Sequence, residues 1–183
     1  MSPRLPFGHR LRLPVVGAPL FIISHPQLVL AQCRAGVIGS FPSLNARPLS
    51  QLDEWLHELT TELSGDDVAP FAVNLIVHKS NTRLEQDLEL CVKWKVPLVI
   101  TSLGAREDVN KAIRGYGGIT LHDVIHNRFA HKAIEKGADG LIAVAAGAGS
   151  SGHAAPCATH VVRSVIAASG SLPDGGICRW TSP

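Results

Sequence analysis

Residues 97–124, PLVITSLGAREDVNKAIRGYGGITLHDV, show most clearly the pattern from which the fold can be predicted. This stretch begins with a short run of apolar and β-branched residues, continues through an amphipathic segment, and ends in a second run of the same apolar kind. Runs that are apolar on both faces are typical of parallel strands buried between helices and a core. The stretch therefore predicts a strand, a helix and a second strand, which together make one βαβ unit.

The same alternation extends in both directions along the chain, with spacings that suit further βαβ units. Apolar runs predict six parallel strands, at residues 13–21, 36–41, 71–77, 97–103, 118–124 and 140–146. Amphipathic segments predict five helices, at residues 25–35, 48–63, 81–95, 106–116 and 127–138.

Consecutive strand–helix units of this kind fit either a (β/α)8 barrel or a doubly wound sheet. We predict the barrel, because the segment GAPLFIISHP at residues 17–26 lacks the G-x-G-x-x-G turn of a dinucleotide-binding sheet. The pattern ends at about Gly147, before the eight strands of a closed barrel are complete. The expected fold is thus an α/β, TIM-type barrel that is incomplete, with about six of its βα units.

Composition and charge exclude several classes of protein. The chain has 183 residues, of which 45% are hydrophobic and 17% charged, with a formal net charge of +2. It has no apolar run near the roughly 18 residues that a membrane span needs and no block of like charges, so we expect neither a membrane nor a nucleic-acid partner. The 4 cysteines are scattered, which predicts no metal site. Without a secretory signal, the expected location is the cytoplasm.

Ligands of β/α barrels bind at the carboxyl ends of the strands, so the polar residues at those positions are the candidate site. A lone asparagine in a strand can simply satisfy a backbone group, and a Gly-rich loop is more often a plain turn. His122 and His126 are four residues apart, but no third ligand accompanies them, and we predict no metal there. The residues at these positions are Asn74, His78, Lys79, Ser80, Thr101, Ser102, His122, Asp123, the loop at residues 147–152 and His153, and we interpret His78 as a loop residue rather than a catalyst.

Several blocks of the sequence, taken in order, resemble the nitronate monooxygenase (2-nitropropane dioxygenase-like) family. The resemblance spans residues 13–154 and is most specific in the last block, KAIEKGADGLIAVAAGAGSSGHA, where a Gly-rich loop precedes a histidine. It implies a barrel that binds FMN at its mouth and oxidises alkyl nitronates with molecular oxygen. The other blocks are LPVVGAPLFIISHPQLVLAQCRAGVIGSFPSLNARP, APFAVNLIVHKSN, VPLVITSLG and GGITLHDVI.

The resemblance also implies roles for individual residues. Gly17, Ala18 and Pro19 match the turn whose backbone lies beside the flavin, and Asn74 matches the strand asparagine that hydrogen-bonds the isoalloxazine. His153 matches the family's active-site histidine, a base or substrate-orienting group whose pKa suits proton transfer. The remaining expected cofactor-binding residues are His122, Gly147, Gly149 and Gly152.

The sequence beyond Ala154 does not resemble the family and shows no strand–helix alternation. We therefore assign residues 1–154 to the flavin-binding barrel portion and residues 155–183 to an atypical tail. A truncation or a shift of reading frame near Ala154 is our hypothesis for that tail. An incomplete barrel leaves unpaired sheet edges, which favours association, so a homo-oligomer is among the expected assemblies.

Two other functions remain open. A flavin-dependent enoyl-acyl carrier protein reductase uses the same barrel type and would consume NAD(P)H. An inactive truncated remnant is the second alternative. The inosine monophosphate dehydrogenase group is disfavoured, because it places a catalytic cysteine in the loop that here contains Ser150, Ser151 and His153.

Overall fold

Helices and strands alternate along the chain in the computed structural model, which describes residues 7–144. Each of the five predicted helices is present. The helices are α1 Pro26–Arg34, α2 Leu49–Glu62, α3 Leu84–Lys93, α4 Glu107–Gly115 and α5 Asn127–Glu135. The strands are β1 Gly39–Pro42, β2 Phe71–Ile76, β3 Leu98–Ser102, β4 Ile119–Val124 and β5 Gly140–Ala143.

The strands form one 5-stranded sheet in the order β1-β2-β3-β4-β5, and every neighbouring pair is parallel. A doubly wound sheet would reverse direction at a switch point, whereas sequential parallel order is the wall of a β/α barrel. The predicted fold class, an incomplete TIM-type barrel, is confirmed. Within residues 7–144 no helix combines the length and apolarity that crossing a membrane requires.

The first predicted strand, residues 13–21, is a correction to the sequence analysis. In this segment Val16 forms a single parallel bridge with Ile38, and no named strand develops. Pro14 and Pro19 lack the backbone N–H that a longer ladder would need on either side of the bridge. Residues 7–144 therefore contain five strands and one bridge at the positions where six strands were predicted.

The two faces of the sheet carry separate apolar clusters. The outer face packs against the helices, where Leu52, Leu56 and Leu59 of α2 are fully buried, as their spacing predicts. Burying a leucine side chain contributes about 1.5–3 kcal/mol, so this face anchors the fold. The outer cluster includes Val73, Leu75 and Val99, and the inner cluster is Val16, Ile38, Ala72, Leu98, Ile100, Leu121 and Ile142.

Asn81 joins the end of β2 to the start of α3. Its amide nitrogen donates to the Ile76 carbonyl oxygen at 2.9 Å, and its amide oxygen accepts from the Arg83 backbone N–H at 3.1 Å. The sequence predicts that Ser80 or Asn81 caps this helix, but Arg83 is the residue directly before α3, and it makes no side-chain cap hydrogen bond. The Asn81 contacts fix the connection that leaves the carboxyl end of β2.

Candidate functional site

Asn74 lies in β2 near the carboxyl edge of the sheet, and only 6% of it is exposed. Its register partner is Ile100 of the inner cluster, so its side chain is on the inner face. The amide nitrogen donates to the Ile100 carbonyl oxygen at 3.1 Å and to the Ser102 hydroxyl at 2.7 Å. Among residues 7–144 no donor reaches its amide oxygen Oδ1, which is left as a hydrogen-bond acceptor.

Ser102 and Asp123 continue this hydrogen-bond network across the neighbouring strands. The Ser102 hydroxyl donates to Asp123 Oδ2 at 2.6 Å, which links β3 to β4 on the same inner face. Burial raises the pKa of the Asp123 carboxyl above its usual value, and the Ser102 hydrogen bond opposes that rise. The network therefore joins an amide, a hydroxyl and a carboxyl at the carboxyl edge of three consecutive strands.

His122 lies on the opposite face of the sheet from Asn74. Its register partner is Thr101, which pairs in turn with Leu75 of the outer cluster. The imidazole Nδ1 is 2.6 Å from the Thr101 hydroxyl, and 5% of the residue is exposed. Burial lowers the pKa of His122, with the charge of Asp123 opposing the shift.

We expect His122 and Asn74 to converge at one end of the sheet, and the two residues share that end but lie on opposite faces. Asn74 is in register with Ile100 of β3, and His122 is in register with Thr101, the next residue of the same strand. Successive side chains of a strand point to opposite faces, so Asn74 and His122 do too. Asp123, the next residue, is therefore the one that reaches the inner face. His122 belongs to the packing between the sheet and its helices.

The Gly17 turn has a structural explanation for its first residue. A Cβ added to Gly17 would lie 2.5 Å from the Gln32 side-chain nitrogen, so the side chain of α1 occupies that space. The Ser40 hydroxyl donates to the Gly17 carbonyl oxygen and fixes the turn to β1. Ala18 and Pro19 follow as half-buried, small or ring-shaped apolar residues. These two residues are the part of the predicted turn that remains for ligand contact.

Asn45 holds the apolar loop that follows this turn, a role that the sequence analysis missed. Its amide nitrogen donates to the carbonyl oxygens of Leu20 and Ser24 at 3.0 and 2.8 Å, and its amide oxygen accepts from the Ile22 N–H at 3.1 Å. Ile22 has φ 68°, a conformation that a β-branched residue adopts only when the surroundings enforce it. The only sequence signal was that Asn45 stands in a block shared with the resembling family.

His153, Gly147, Gly149 and Gly152 lie outside the described residues, so their expected positions beside Asn74 stay predictions. Within residues 7–144 no three His, Cys, Asp or Glu side chains group as metal ligands. The described part of the candidate site is therefore the inner-face network of Asn74, Ser102 and Asp123, and the Ala18–Pro19 turn follows the bridge between Val16 and Ile38.

No protein family model and no curated protein matches the sequence. Solved structures do match. FabK from Thermotoga maritima has a TM-score of 0.65 and 23% identity, over 74% of this chain and 41% of that one. Nitroalkane oxidase from Streptomyces ansochromogenes has a TM-score of 0.64 and 21% identity, over 73% of this chain and 46% of that one.

A third similar structure is the enoyl reductase domain of MlnA from the macrolactin biosynthesis cluster of Bacillus amyloliquefaciens. It has a TM-score of 0.61 and 13% identity, over 74% of this chain and 40% of that one. This chain spans less than half the length of each of the three structures. At such identities the likeness establishes the fold, which is part of a TIM-type (β/α)8 barrel.

Proposed function

We propose that this chain provides the flavin-ring site of an FMN-dependent nitronate monooxygenase, an oxidoreductase that oxidises alkyl nitronates with molecular oxygen. The observation that carries the proposal is the Asn74 amide, which is buried on the inner face near the carboxyl edge and whose Oδ1 accepts no hydrogen bond from residues 7–144. That edge is where β/α barrels bind their ligands. The sequence resemblance and the fold shared with a nitroalkane oxidase support the choice.

The residues present fit an isoalloxazine ring. The ring has a broad apolar surface and an N–H edge, which need an apolar wall and a hydrogen-bond acceptor. Ala18 and Pro19 are half-buried, and their apolar side chains, which carry no hydrogen-bond donor, suit such a wall. Asn74 Oδ1 supplies the acceptor. When bound, FMN supplies the electron transfer between the nitronate and oxygen, and the protein supplies orientation and a water-poor surface.

His153 is the proposed catalytic base of the reaction. With a neutral nitroalkane as substrate, its imidazole takes the proton from the carbon that bears the nitro group and leaves the nitronate anion. An imidazole suits this step because its pKa is close to working pH. Gly147, Gly149 and Gly152 are the proposed backbone contacts to the cofactor, since glycine permits close approach. A nitronate supplied ready-made needs no base.

The proposal is tested by titrating the purified chain with FMN and following the quenching of flavin fluorescence. Asn74→Ala removes the acceptor and is expected to weaken FMN binding about tenfold, the effect of losing one hydrogen bond of ordinary strength. Asn110→Ala is the matched control, because Asn110 is equally buried and donates to the Lys136 carbonyl oxygen on the helix side. Equal FMN affinity in both variants would remove Asn74 from the site.

A second candidate is a flavin-dependent enoyl reductase, which the similarity to the MlnA domain favours. Oxygen consumption with propyl nitronate supports the first function. Oxidation of NAD(P)H that depends on an enoyl thioester supports the second. FMN binding without either activity would indicate a chain that retains the ring site but lacks catalysis, whereas no FMN binding would contradict both flavoenzyme proposals.

A further inference from the structure

The orientation of Asn74 depends on groups from two neighbouring strands. Rotating the amide by half a turn would place Oδ1 against the Ile100 carbonyl oxygen, and two acceptors repel each other. The amide nitrogen is thus directed to Ile100, and its second hydrogen is directed to Ser102. Both donor positions of Asn74 are occupied inside the protein, which leaves only acceptor capacity for a ligand.

The Ser102 hydroxyl can accept from Asn74 because its own hydrogen is used elsewhere. A hydroxyl has one hydrogen to donate, and here it is donated to Asp123 Oδ2 at 2.6 Å. Without Asp123, the Ser102 hydrogen would be free to turn towards Asn74 and compete for the amide oxygen. Asp123 is therefore needed to keep Ser102 an acceptor.

We propose that Ser102 and Asp123 are positioning residues which hold Asn74 as an acceptor-only contact for an N–H group of the bound flavin. The proposal rests on the flavin-binding function proposed above. It assigns a role to the inner-face member of the His122–Asp123 pair, and it excludes a role for Asn74 as a donor to a ring carbonyl. The burial of the three residues supports a fixed arrangement, since Asn74 and Ser102 are 6% and 7% exposed and Asp123 is half-buried.

Two measurements on the full chain test the positioning role of Ser102 and Asp123. The first is hydrogen exchange of the Asn74 side-chain amide, followed by NMR on protein with 15N-labelled asparagine, and it needs no flavin. The second is FMN affinity by fluorescence quenching. Ser102→Ala and Asp123→Ala are each expected to speed the exchange and to weaken FMN binding by up to about tenfold.

Two further variants separate positioning from loss of structure. Asp123→Asn retains a carbonyl oxygen that can accept from Ser102. This variant is therefore expected to keep the parental FMN affinity and the slow hydrogen exchange of the Asn74 amide. Thr101→Val is the matched control on the outer face. Thr101 precedes Ser102 in β3, and the substitution removes a buried hydroxyl that contacts His122. It is expected to lower stability and leave FMN affinity unchanged.

The outcomes distinguish this proposal from the proposed function. If FMN binds and its affinity is the same in Ser102→Ala, Asp123→Ala and the parent chain, the positioning role is overturned. Faster amide exchange without any loss of affinity overturns it equally, because Asn74 would then move without affecting the ligand. If the parent chain binds no FMN, the proposed function fails, while the exchange measurement still decides whether Ser102 and Asp123 fix the Asn74 amide.

Discussion

Replacing His122 by alanine separates a packing role from a ligand role, because the two predict opposite results. The side chain is buried on the helix-facing side of β4 and contacts the Thr101 hydroxyl. If that is its whole role, His122→Ala lowers stability and leaves the inner face untouched. The family resemblance implies that His122 contacts the cofactor, so this variant tests the packing role that the position of His122 indicates.

The expected loss of stability follows from the contacts of the imidazole. Removing it leaves the Thr101 hydroxyl with a weak 3.4 Å contact to the Leu121 carbonyl oxygen, and a buried polar group without a good partner costs about 1–3 kcal/mol. The cavity adds to that cost, since large-to-small changes at buried sites cost about 2–5 kcal/mol, less where the site collapses. We expect a total decrease of about 2–4 kcal/mol in the free energy of unfolding.

The assay is urea denaturation followed by circular dichroism, with FMN affinity measured in parallel below the unfolding transition. Asn74→Ala is the comparison on the inner face: it is expected to lower FMN affinity, whereas His122→Ala is expected to leave it unchanged. A His122→Ala protein of parental stability with weakened FMN binding would show that His122 contacts the cofactor rather than packing against the helices.

Three further predictions follow from other contacts. Asp87 is fully buried and accepts hydrogen bonds from Ser43 at 2.7 Å and Arg83 at 2.9 Å. Asp87→Ala should therefore lower the free energy of unfolding, measured by urea denaturation, by about 3–5 kcal/mol. A decrease as small as that for replacing an exposed carboxylate would contradict this prediction. Asn45→Ala removes three hydrogen bonds to residues 20–24, so backbone amide hydrogen exchange in that loop should accelerate while the β-sheet keeps its protection. Unchanged exchange would show that the loop keeps its conformation without Asn45. Because the pKa of His122 is lowered in the folded chain, the unfolded chain takes up the proton first as pH falls below about 6.5, and stability should decline there by up to about 1.4 kcal/mol per pH unit. His122→Gln should remove that part of the decline, and a parental pH profile in the variant would exclude His122 as its source.

The helices and most strands could be predicted because local pattern and tertiary packing agree. The spacing of Leu52, Leu56 and Leu59 predicts an apolar face, and the folded chain buries all three. The segment at residues 13–21 was overpredicted because its apolar composition resembles a strand while Pro14 and Pro19 limit the ladder. A prediction from apolar composition alone takes no account of the backbone N–H groups that these two prolines lack.

The site could be predicted only in part, for a geometric reason. Asn74 is a polar residue inside an apolar run, which marks it in the sequence. His122 and Asp123 are adjacent, and a strand that is buried on both faces has no polar–apolar alternation to show which of them points inward. The contact between Ser102 and Asp123 joins residues 21 apart, and it depends on the register of β3 and β4.

A crystal structure of the chain with FMN would show directly whether Asn74 accepts a hydrogen bond from the flavin ring. We expect the isoalloxazine ring to lie on the inner face at the carboxyl edge of the sheet, with a ring N–H within hydrogen-bond distance of Asn74 Oδ1. The Ser102 and Asp123 contacts should be retained behind that amide. FMN bound on the helix-facing side beside His122, or an Asn74 amide that donates to the flavin, would show that the proposed ring site is wrong.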